Sequence, residues 1–177
     1  MKKIALVLMS VILVFSIIAC TPQTNIPKSN TDTTTKTPEI SGDERQRIDL
    51  YVSVMKAAFN EENGGSAFVA VKLDTLDGLS DKAKVEVLKE LTSLSPNVYD
   101  FEKVKDDETK FELDENRRLR RTLNGSLLYI ELEQYSKSKA TITGVSWFGN
   151  LGAVFPSYEA TYKNGIWKLK LIRMAVS

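Results

Sequence analysis

The chain has no histidine and a single cysteine, Cys20. Without histidine there is no Ser–His or Cys–His couple and no imidazole metal ligand. One cysteine leaves no partner for an intramolecular disulfide. Neither sign of charge is in excess, with 24 Lys and Arg against 23 Asp and Glu. A nucleic-acid partner would call for a basic surplus, so none is expected, and nothing suggests general attraction to an anionic surface. Long apolar runs are scarce as well. The one from Ile4 to Ala19 stops short of the roughly 20 residues that cross a bilayer, and no charged stop-transfer cluster follows it. Catalysis by this chain would have to rely on carboxylates, lysine, tyrosine, serine or threonine.

What is present begins with Lys2 and Lys3, the apolar run behind them, and small residues at its end. That is the layout of a secretory signal peptide. Its last four residues, Ile17-Ile18-Ala19-Cys20, resemble the lipobox of bacterial lipoproteins: a branched aliphatic, a variable residue, a small residue, then cysteine. The resemblance implies cleavage between Ala19 and Cys20 and a diacylglyceryl group on the Cys20 thiol. The protein is then held at a cell membrane by lipid and faces outside the cytoplasm. Thr21 in place of an aspartate leaves outer-membrane sorting open in a Gram-negative cell. Loss of residues 1–19 removes Lys2 and Lys3, leaving 22 basic residues against 23 acidic ones.

Residues 20–41 are Thr, Asn, Ser, Pro and Lys with scarcely an apolar side chain. Such a segment cannot bury enough surface to offset its ordering entropy, so it reads as a disordered tether with a reach of about 25 Å. Residues 42–177 read as one α+β domain. Ser41 and Glu44 have capping-box spacing, and Ile48, Val52, Met55 and Phe59 place one apolar face on the helix that follows. Gly64 and Gly65 offer a left-handed stop. Ala67 to Val71 suits a strand buried on both faces. Ser80 caps a second helix, with Val87, Leu88, Leu91 and Leu94 on its apolar side. Beyond Val98 the pattern is β: strands over 98–105 and 109–113, then over 128–133, 140–148 and 153–162. Ile142 lies on even positions and Val145 and Trp147 on odd ones, so a bulge at Gly144 is expected to switch the faces. Asn164-Gly165 suits a two-residue type I′ turn. That turn sets Tyr162 opposite Trp167, Ala160 opposite Leu169 and Tyr158 opposite Leu171, with Glu159 meeting Lys170 on the other face.

Three groups are candidates for chemistry. Arg117, Arg118, Arg120 and Arg121 place four guanidinium groups in five residues as a candidate anion contact, against a local acid excess from Asp106 to Glu115 that would neutralise them. Trp147, Tyr158, Tyr162 and Trp167 are candidate pocket aromatics or core beneath a helix. Glu131 and Glu133 share a strand face, which acid–base chemistry could use but which alternation alone explains. Asp74, Asp77 and Gly78 lack the ligand pattern of a calcium loop; no metal and no cofactor is assigned.

The elements predict an α+β fold, with two N-terminal helices packed on one face of a twisted, mainly antiparallel sheet. Over residues 43–177 their order resembles the ketosteroid-isomerase-like cone, a likeness of topology that transfers no site residue. The expected role is a non-catalytic binding module for a small ligand, a cell-envelope component or an exported protein. The alternatives are a carboxylate-based hydrolase or isomerase in a cone-shaped pocket, and an accessory subunit of an envelope complex.

Overall fold

The computed structural model describes residues 39–177. The signal-peptide, cleavage, lipid-attachment and most of the tether readings lie outside the described residues. The helix α1, Gly42–Glu61, starts as its sequence dictates. The Ser41 hydroxyl accepts from the Glu44 N–H at 3.2 Å, and Glu44 returns the bond to the Ser41 N–H at 2.9 Å. Ile40, assigned above to the tether, already packs on the core. The helix ends at an extended Glu62 rather than at a left-handed glycine; positive φ appears only at Gly65, in the connection that follows.

Beyond α1 come β1 (Phe68–Val71), a 3₁₀ turn (Leu73–Thr75), α2 (Asp81–Glu90) and β2 (Val98–Asp100). β1 and β2 are parallel, joined by α2 as a crossover. The strand expected over 98–105 is cut short because Asp100 accepts from the Glu102 N–H at 3.2 Å. That caps a one-turn helix, α3 (Phe101–Val104). Then follow β3 (Phe111–Leu113), β4 (Leu119–Thr122), β5 (Gly125–Tyr135), β6 (Lys139–Gly149), β7 (Gly152–Lys163) and β8 (Ile166–Val176). The sheet is mixed and mostly antiparallel, running β2-β1-β5-β6-β7-β8, with the β3–β4 hairpin attached at the end of β6.

Its inner face curls around α1, which touches β5 to β8 and is closed from the other side by α2. That is why the buried arc of α1 is broader than one stripe: Tyr51 and Ala58 widen it as their spacing suggests, and Leu50 and Val54 are buried as well. The expected bulge at Gly144 is absent. Gly144 stays in register with Ile130, and a Cβ there would stand 2.8 Å from the Val54 carbonyl oxygen. Its missing side chain lets α1 settle on β6. Ile142 and Trp147 lie on opposite faces because both faces are covered. Phe68, Phe101, Phe111 and Leu127 form a second core on the outer side, with the Phe68 and Phe111 rings edge-on at 5.5 Å.

Glu44 also ties the two helices together, accepting from the Ser80 N–H at 2.9 Å. Hydrogen bonding by the Ser80 side chain first, then by the Ser41 and Ser80 N–H groups, holds its carboxyl down to about 2. A depressed carboxyl contributes stability that is present above the unfolded value and lost as pH falls through the folded one. Glu44→Gln should therefore have a lower urea midpoint than wild type at pH 7, and the gap should close between pH 4.5 and about 2. Parallel curves for the two proteins over that range would assign the acid sensitivity elsewhere.

Candidate functional site

The open end of the sheet, where β5 turns into β6, is shaped by one extra residue. Leu132 pairs with Ile142, but Gln134 pairs with Thr141 and Tyr135 with Ala140. Glu133 is thus a bulge, and side chains beyond it change faces. Gln134 joins Thr141 on the outer face, while Tyr135 swings inward to lie 6.3 Å from the Trp167 ring and under the Arg47 guanidinium at 3.7 Å. Glu131 and Glu133 consequently no longer stand as a paired set on one ladder.

The turn is held from three sides. Ser136 closes it through backbone and hydroxyl bonds with Lys139. The Gln46 side chain of α1 donates to the Lys137 carbonyl. The Tyr162 N–H donates to the Ser138 carbonyl at 2.9 Å. Beside this turn lies an open groove of about 700 Å³, with Ala140 and Ala160 among its lining residues. Its polar side chains include Gln134, Thr141, Glu159, Thr161 and Lys139. Glu159 also stands 3.6 Å from Lys170 across the β7–β8 ladder, both of them exposed. Amide, hydroxyl, carboxylate and ammonium groups together offer donors and acceptors over a small floor, which suits a polar ligand. The Tyr135 ring points away from the groove, on the inner face, where its hydroxyl is shielded from solvent with no hydrogen-bond partner among the described residues. Burial, with Asp43 nearby, raises its pKa and keeps it neutral.

The four aromatics do not share a pocket. Tyr158 and Trp167 are core residues, 5% and 9% exposed, and Tyr162 packs beside them. Trp147 lies on the opposite face, against the second core. Trp167 meets α1 at its N-terminal half, donating from Nε1 to the Gln46 carbonyl at 2.8 Å.

The arginines sit on the β3–β4 hairpin without converging. Arg117, at positive φ, pairs with Glu108 at 2.7 Å and Asp106 at 3.3 Å. Arg121 and Arg120 share Glu112, at 2.6 and 3.9 Å. Arg118 is exposed in the hairpin loop, where its N–H donates to Asp114 at 2.8 Å. Three of the four guanidinium groups thus already face carboxylates. Among the described residues no group of three or more acids forms a metal site, and none of their helices is long and apolar enough to cross a membrane.

No family model, no curated protein and no solved structure matches this chain.

Proposed function

We propose that the chain is a membrane-anchored extracytoplasmic lipoprotein whose domain is a non-catalytic binding module for a small polar ligand or cell-envelope component. The lipobox-like stretch ending at Cys20 supports the location. The observation that carries the binding role is the groove at the β5–β6 turn, open and lined by mixed donors and acceptors. A carboxylate enzyme would want an acid with a raised pKa inside that groove. The carboxyl that burial does raise is Asp49, on α1 and away from the lining. Glu159, in the groove, faces a lysine instead.

The test is a thermal-shift screen of the full-length lipoprotein in detergent against envelope oligosaccharides, anions and short peptides. A ligand at a hundred times its Kd should stabilise the domain by about 2.7 kcal/mol. Gln134→Ala/Thr141→Ala should abolish that shift and keep the ligand-free midpoint, since both side chains lie on the wet face of the sheet. A shift that survives the double substitution would move the site elsewhere.

A further inference from the structure

We propose that the free edge of β8 captures an extended peptide by strand addition, and that this peptide alternates acidic and apolar side chains. The inference goes beyond the groove and does not depend on it. Among the described residues β8 pairs with β7 alone, and its other edge is unpaired by them. Tyr162 sends its N–H away from β8, to Ser138; its partner Trp167 therefore sends its backbone groups away from β7. Leu169 and Leu171 follow by alternation. At the far end the Ser177 N–H donates inward to Ala153 at 3.0 Å, which leaves Met174 and Val176 directed outward.

The side chains on this edge divide by face. Leu171, Met174 and Val176 lie on the inner side, where β8 runs past its cover, and are 48%, 38% and 70% exposed. Ile172, the bulged residue opposite the step from Ser157 to Tyr158, is 47% exposed. Together with Ile166 these are five of the eight exposed large apolar residues found among the described ones. The outer side carries Lys168, Lys170 and Arg173 in one row. An incoming strand would set one row of its side chains beside the apolar residues and the other beside this basic row.

Charge decides between occupants. If a second copy paired its own β8 antiparallel, the basic row would face itself, and like charges directly opposite are destabilising. Lysines on an edge commonly guard against such self-pairing. The same row attracts a strand bearing carboxylates at alternate positions. Main-chain bonds would supply affinity, and the two rows would set register and direction.

The probe is a fluorescent ten-residue peptide of alternating glutamate and valine, titrated into the full chain in detergent and followed by anisotropy. It should bind, weaken with salt, and lose about tenfold in affinity against Lys168→Glu/Lys170→Glu. N-methylation of the backbone along one edge of the peptide should abolish binding, while methylation along the other should leave it, as only one edge meets β8. Gln134→Ala/Thr141→Ala should bind the peptide like wild type, which separates this site from the groove. Equal binding of a lysine–valine peptide, or indifference to methylation on either edge, would overturn strand addition. So would a dimer that forms through β8 and excludes the peptide.

Discussion

Trp167→Ala should remove about 3–5 kcal/mol of stability, a large share of the 5–15 kcal/mol typical of a domain. The indole is 9% exposed and packs against Tyr162 at 5.1 Å, in a cluster that also includes Tyr135. It also bridges the last hairpin to the first helix through Gln46. Truncation would leave a cavity at the point where β8 meets α1, and the rings around it are fixed by β5 and β7 and have little freedom to fill it. Urea unfolding gives the measurement. The midpoint should fall with the slope unchanged, because the surface exposed on unfolding is nearly the same. Trp167→Phe should lie between, keeping most of the packing but losing the N–H bond. A Trp167→Ala midpoint near wild type would mean that the ring lines solvent and that this end of the core is held otherwise.

The terminal hairpin was legible because its turn residues leave no freedom. Asn164 and Gly165 both take positive φ, and the register they impose is the one found, from Tyr162–Trp167 to Tyr158–Leu171. The capping box of α1 and the Ser80 cap of α2 were equally local, and equally readable. What failed depended on distant packing. The parity change between Ile142 and Trp147 looked like a bulge, but it reflects two cores on two faces. The bulge that shapes the β5–β6 end falls at Glu133, where a charged residue in a polar row gives no sign of leaving the ladder. Tyr135 could not be placed inward without it. The aromatic stripe was split for the same reason, since spacing along one strand does not say which sheet face a helix covers. The groove was missed altogether: Gln134, Thr141 and Thr161 read as an ordinary wet face until the sheet's curvature and the pinned turn bring them together.

The proposed location rests on Cys20, and its substitution is expected to have the largest functional effect. Each buried CH₂ of an acyl chain contributes about 0.8 kcal/mol, and two chains suffice for stable anchoring. None of the described helices is long and apolar enough to cross a membrane. Removing the thiol should therefore convert a detergent-phase protein into an aqueous one while leaving the unfolding transition of the domain unchanged. The most direct measurement is metabolic labelling with a fatty-acid analogue, followed by intact mass of the purified chain. The account predicts a labelled wild-type protein that begins at a diacylglyceryl-modified Cys20, and an unlabelled Cys20→Ser protein released from the membrane. A Cys20→Ser chain that still carries acyl groups, or a wild-type chain recovered without lipid and uncut after Ala19, would contradict it.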